Sequence, residues 1–133
     1  MNFTPTEKEI DFVNNALAAF NDAKVGPDNH KLLNIVEYND MNNVIAGFLG
    51  GTYWEWMHID VLWVDKKYRN RGLGTKILMV AEEEARKRGC HHAHIDTMSW
   101  QAPNFYKKYG YEIISELNDI PMGNKKIYLI KEL

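Results

Sequence analysis

The feature that most constrains this chain is the run Arg69-Asn70-Arg71-Gly72-Leu73-Gly74-Thr75. It lies between an apolar, β-branched stretch ending at Val64 and a strongly amphipathic stretch from Gly72 to Arg88. Glycines let a backbone come close to a ligand, and the first turn of a helix leaves N–H groups without intrahelical acceptors. Those donors, the positive end of the helix dipole and the flanking Arg69 and Arg71 make a site suited to a pyrophosphate-sized anion. Two nucleotide-binding loops are disfavoured by what is missing. A Walker loop needs a glycine at a set distance before Gly72, and none is there. A dinucleotide fingerprint needs a third glycine where Ile77 stands.

With 133 residues, 45% of them hydrophobic and 26% charged, the chain reads as one globular domain over its whole length. A net charge of −2 lacks the basic excess of a nucleic-acid binder. No apolar run is long enough for a membrane span, and the charged Glu7-Lys8-Glu9 replaces the apolar core of a signal peptide. Cys90 is the only cysteine, so neither an intrachain disulfide nor a cysteine-based zinc site can form. A reducing, cytoplasmic setting is expected.

Periodicity supplies the element order. Thr4 as N-cap, Pro5 at the first helical position and Glu7 closing a capping box predict a first helix. Its apolar stripe is Ile10, Val13, Leu17 and Phe20, and Gly26-Pro27 ends it. Leu32–Tyr38 and Val44–Leu49 read as a hairpin, with Gly50-Gly51 marking a bulge or short loop. Trp54–Val64 reads as a third strand, with Trp54, Trp56, His58, Asp60, Leu62 and Val64 on one face. In the helix from Gly72, Leu73, Ile77, Leu78, Ala81 and Ala85 form the buried stripe. Glu82–Arg86, Glu83–Lys87 and Glu84–Arg88 are expected to be solvated surface pairs. A strand from His91, a short helix from Ala102 and strands over Tyr111–Leu117 and Lys125–Lys131 complete a mixed α/β (α+β) sheet with flanking helices.

The spacing R-x-x-G-x-G (Arg69, Gly72, Gly74) resembles the pyrophosphate loop of the GNAT superfamily of acetyl-coenzyme A-dependent N-acetyltransferases. Leu62-Trp63-Val64 is similar to that family's strand, whose backbone pairs with the pantetheine arm. Ala102-Pro103-Asn104-Phe105-Tyr106-Lys107-Lys108-Tyr109-Gly110-Tyr111 resembles its A-x-x-[FL]-Y-x-x-x-G-[FY] element. The resemblance covers about Val44 to Leu133. It implies a GNAT-type mixed central sheet in which the parallel strands Met57–Val64 and His92–Thr97 splay apart to admit the coenzyme. Leu62, Trp63, Val64 and the run Arg69, Asn70, Arg71, Gly72, Leu73, Gly74, Thr75 would bind it. The family often carries an asparagine where this chain has Ser99, and Asn104 is the candidate amide in its place. The portion before the hairpin is shorter than the family's usual acceptor-shaping segment.

Transfer of an acetyl group from a thioester to an amine must remove a proton from an ammonium, stabilise an oxyanion and protonate a leaving thiolate. The resemblance gives the last role to Tyr106; a packing role beside Phe105 is the alternative. His58 and Asp60 stand two apart on one strand face, and similar family members use ionisable residues at these positions to carry the proton away. Imidazole changes charge near neutral pH and is suited to that task. Trp54 and Trp56, with Tyr53 and Trp100 nearby, could wall an acceptor pocket, although alternation favours core. His92, His94 and Asp96 share a face without a helical HExxH motif or a thiolate, so no metal is expected. Cys90 follows a helix C-terminus, where the dipole disfavours a thiolate, so direct attack without an acyl-enzyme is expected.

The expected activity is thus N-acetylation of a small-molecule or peptide amine by acetyl-coenzyme A, without nucleic-acid or membrane partners. The alternative is a non-catalytic acyl-coenzyme A binding module on the same fold. Edge strands and an aromatic-rich sheet also allow a homodimer.

Overall fold

The computed structural model describes residues 1–133. Its elements are α1 (Glu7–Val25), β1 (Lys31–Tyr38), β2 (Val44–Tyr53), β3 (Trp56–Val64), α2 (Leu73–Lys87), β4 (His92–Met98), α3 (Pro103–Lys108), β5 (Glu112–Asn118) and β6 (Lys125–Glu132). A single 3₁₀ turn, Lys66–Tyr68, precedes α2. The six strands form one sheet in the order β1-β2-β3-β4-β6-β5. Neighbours are antiparallel except β3 and β4, which are parallel. This is the mixed sheet expected from the sequence. No helix is long and apolar enough to cross a membrane.

The face of the sheet beneath α2 holds the core. Ile77, Leu78, Ala81 and Ala85 of α2 are buried against Phe48, Met57, Ile59, Ala93 and Leu129. The alanines bring the helix close to the sheet, and each large apolar side chain sealed there contributes about 1.5–3 kcal/mol. Tyr106 of α3 and Tyr111 extend the same core, their rings edge-to-face with centroids 5.6 Å apart.

Glu82 departs from the surface role expected of it. It is only 1% exposed, and it accepts hydrogen bonds from the Tyr111 hydroxyl at 3.0 Å and the Lys131 Nζ at 2.8 Å. The i, i+4 rule identified its Arg86 partner, 3.5 Å away, but could not see the lysine brought over by β6. Burial and the adjacent carboxylate raise the Tyr111 hydroxyl pKa.

The first helix is capped two residues later than expected. Thr6 takes the Glu9 N–H on its hydroxyl at 3.3 Å, and Glu9 takes the Thr6 N–H at 2.7 Å, a capping box in a new register. Thr4 is engaged instead with the Asn2 side chain. More consequential is that α1 buries nothing. Its stripe of Ile10, Val13, Leu17 and Phe20 stays 47%, 67%, 60% and 60% exposed.

The strand pairing contains the irregularity that shapes the site. Gly50 pairs with Ile59 and Leu49 with Val61, so Asp60 is an extra residue in β3. A Cβ on Gly50 would overlap the His58 carbonyl, which explains a glycine opposite the bulge. Side-chain phase reverses across Asp60. Met57 and Ile59 face the core before it, whereas Leu62 and Val64 pack on the core after it. The single-face reading of Trp54–Val64 therefore fails, because period-two counting assumes no inserted residue. Trp54 and Glu55 also leave the strand; with φ of 42° and 61° they form the β2–β3 turn.

Candidate active site

Parallel pairing between β3 and β4 runs only from Trp56↔His92 to Ile59↔Ile95. Beyond the Asp60 bulge β3 continues to Val64 along β2, while β4 continues to Met98 along β6. The edge of β3 that faces β4 is left without a strand partner over Val61–Val64. Leu62 and Val64 turn inward and Trp63 outward, at 44% exposure, so what this segment offers in the gap is its main chain.

The gap leads to the glycine loop. Gly72, at φ 77°, occupies the left-handed region that suits glycine and serves as N-cap of α2, with no side-chain cap. None of the backbone N–H groups from Asn70 to Thr75 finds a protein acceptor at hydrogen-bonding geometry. Arg69 donates from Nε to the Val64 carbonyl at 2.9 Å, tying the loop to the end of β3 while the side chain stays exposed. Arg71 lies over the Tyr68 ring, 5.6 Å from its centroid. Thr75 shares a 2.7 Å hydrogen bond with the Tyr109 hydroxyl, which joins the first turn of α2 to the end of α3. A row of unsatisfied donors at a helix start, flanked by two arginines, is the donor set a diphosphate requires.

Tyr106 is 5% exposed, and burial pushes its hydroxyl up to about 12. It therefore keeps its proton throughout the neutral range. Its ring also packs edge-to-face on Phe105, with centroids 5.2 Å apart, so the packing role and a proton-donor role coexist in one side chain. Asn104, two residues earlier on α3, is exposed.

His58 and Asp60 meet as their spacing suggested, with Nδ1 and Oδ1 2.9 Å apart. A carboxylate can only accept, so His58 Nδ1 carries the proton and Nε2 is the acceptor of the neutral ring. That nitrogen faces His30 Nε2 at 3.2 Å, and the two rings stack with centroids 5.4 Å apart. Room for the pair comes from Gly51, where a Cβ would stand 2.6 Å from His58 Nε2 and 2.9 Å from His30 Nε2. No local pattern signals His30, which reaches the site only because β1, which it precedes, runs beside β2. Tyr53 closes the cluster by sharing a 3.1 Å hydrogen bond with His94 Nε2. Burial, then His58, lowers the His94 pKa, which keeps its ring neutral.

These residues line a cleft of about 320 Å³ that also presents Asp28, Asp60 and Asp96. Beside it is a groove of about 490 Å³ walled by Tyr53, Trp54, Trp56 and Tyr128. Trp54 is 44% exposed, and Trp56, stacked on His92 at 4.5 Å, is half-buried. The aromatic residues assigned to the core by alternation thus form a wall. Cys90 is buried, and burial raises its thiol pKa, which disfavours the thiolate a covalent relay would need.

The model of the acetyltransferase (GNAT) family matches residues 4–111 of this chain. The chain belongs to that family. Acetyltransferase Atu2258 of Agrobacterium fabrum is 39% identical over 119 residues, covering 90% of this chain and 87% of the relative. Blasticidin-S acetyltransferase of Streptomyces morookaense is 37% identical over 95 residues, covering 71% of this chain and 70% of the relative. The crystal structure of an acetyltransferase from Bacillus cereus superposes with a TM-score of 0.92 at 29% identity, covering 100% of this chain and 97% of the other. This GNAT chain is an acetyltransferase, and its sheet is the family's sheet.

Proposed function

We propose that the protein moves the acetyl group of acetyl-coenzyme A directly to a primary amine of a small molecule or peptide. The observation that carries this reading is the gap between β3 and β4. It has unsatisfied amides at one end and the His58–Asp60 pair beside its point of divergence. Asn70–Thr75, with Arg69 and Arg71, hold the diphosphate, and the free edge of Leu62-Trp63-Val64 aligns the pantetheine arm. Acetyl-coenzyme A supplies an activated acyl group on a thiol leaving group.

The chain's own residues manage protons. His58 accepts one from the acceptor ammonium, directly or through water, with Asp60 holding its tautomer and stabilising the imidazolium. Protonated His58 donates from Nε2 toward His30, which is exposed and passes charge to solvent. The amine nitrogen forms its bond to the acetyl carbon as the carbon–sulfur bond breaks, and Tyr106 supplies the proton to sulfur. The carboxylates of Asp28, Asp60 and Asp96 favour a cationic acceptor, and the aromatic groove favours one with a flat or apolar body.

The test combines free-thiol detection over an amine panel with calorimetry of coenzyme binding. Turnover with cationic amines is expected, and Tyr106→Phe should lower kcat by about a hundredfold or more with coenzyme affinity unchanged. An unaltered Tyr106→Phe turnover number would remove the tyrosine from the mechanism. Coenzyme binding without thiol release for any amine would favour a non-catalytic binding module.

A further inference from the structure

Two apolar surfaces of this chain have no partner within it, and they match in kind. One is the stripe of α1, with Leu17 and Phe20 both 60% exposed. A helix gains most of its stability in a protein from packing its apolar face, and that of α1 packs on nothing. The other is the face of β1–β3 turned away from α2. There Leu32, Val36, Leu49, Val61 and Trp63 are 68%, 45%, 42%, 44% and 44% exposed. These positions alternate with buried residues such as Leu33 and Phe48, so the strands are apolar on both sides. Such strands belong to a sheet meant to be covered twice. The segment joining α1 to β1 is pinned by a 2.8 Å hydrogen bond from the Trp54 N–H to the Asp28 carbonyl, and no residue of α1 is buried in its own chain.

We propose that a second copy of this chain supplies the cover, each α1 lying across the β1–β3 face of its partner in a two-fold exchange. A 19-residue helix is about 28 Å long, and a stripe about 10 Å wide on each of two helices, with the sheet beneath, buries roughly 1,100 Å². That passes the ~1,000 Å² expected of a specific interface, before Phe3 and Phe12 add to it. A two-fold exchange satisfies both surfaces of both chains at once and leaves neither stripe in water. The covered face borders the histidine cleft, because Leu32 pairs with Gly51 and Gly51 with His58. The partner's α1 thereby becomes a wall of the acceptor site, a consequence that rests on the proposed function; the interface itself does not.

Sedimentation of the full chain at micromolar concentration is the test, since it reads assembly without reference to activity. The wild type should sediment as a dimer. Leu17→Glu/Phe20→Glu on the helix and Val36→Lys on the sheet should each weaken association by about a hundredfold or more, because each exchange loses its apolar contact twice per dimer. Mixing the helix variant with the sheet variant should recover a heterodimer, by pairing the acidic helix with the basic face and the two unaltered surfaces with each other. Should the helix variant fail to fold, Val36→Lys alone carries the same test. A monomeric wild type, a dimer indifferent to either change, or sensitivity to the helix change without the sheet change would overturn the proposal.

Discussion

The two faces of the sheet are built from the same strands and behave as different materials. Under α2, side chains such as Phe48, Met57 and Leu129 are fully buried, and the one carboxylate present, Glu82, is satisfied by Tyr111 and Lys131. On the opposite face His58, His94 and Asp96 stand beside exposed aliphatic groups and make sparse, mutually adjustable hydrogen bonds. The first face supplies free energy of folding; the second supplies groups that can change protonation state or meet a substrate. Pleating lets one backbone serve both, because neighbouring residues point to opposite sides. The bulge at Asp60 trades the two sides partway along β3, so the strand contributes His58 to the chemical face before it and Leu62 to the core after it.

The comparison breaks most readily at Glu82. Glu82→Gln leaves Lys131 near a neutral amide and should destabilise the fold by about 3 kcal/mol, with kcat of the folded fraction unchanged. Urea denaturation alongside active-site-normalised kinetics checks both halves. The reverse pattern is expected on the other face. His58→Ala should lower kcat by tens of times or more and remove the basic group from the pH–rate profile, while stability moves by less than about 1 kcal/mol. His30→Gln sharpens that result, since a residue that only relays charge should change the pH profile more than coenzyme affinity.

Smaller still is the effect of Gly51→Ala, whose methyl must displace the His30–His58 pair. A several-fold loss of turnover with retained coenzyme binding is expected, and a crystal structure of the variant should show the imidazoles parted. The least effect is thermodynamic. The pKa of His94 is lowered in the folded protein from an ordinary value of 6.5, so the unfolded chain binds the proton more readily. The stability contributed by the neutral ring is present above that ordinary value and is lost as pH falls through the lowered one. Thermal melts of His94→Gln should accordingly lose less stability on acidification than the wild type, and an identical acid dependence would contradict the assignment.

Much of the fold was legible because it is written in local patterns. The i, i+3, i+4 spacing of α2, the two-residue alternation of the strands and the turn glycines fixed the element order, and the glycines of the Arg69–Thr75 loop marked the start of α2. What failed did so for identifiable reasons. The capping pattern fits both Thr4–Glu7 and Thr6–Glu9, and the choice fell to Thr6 while Thr4 bonded Asn2. Trp54 reads as strand because nothing in its neighbours announces a turn with two positive-φ residues.

By itself, then, the sequence determined which segments become helix and strand and where a row of free backbone N–H groups would meet a helix start, because those depend on residues close together along the chain. Only the tertiary structure decided the rest. It inserted Asp60 as a bulge opposite Gly50, brought His30 against His58, closed Glu82 beneath Lys131 and left α1 without a partner in its own chain. Each of these depends on contacts between residues far apart in sequence, and long-range geometry of that kind has no period to read.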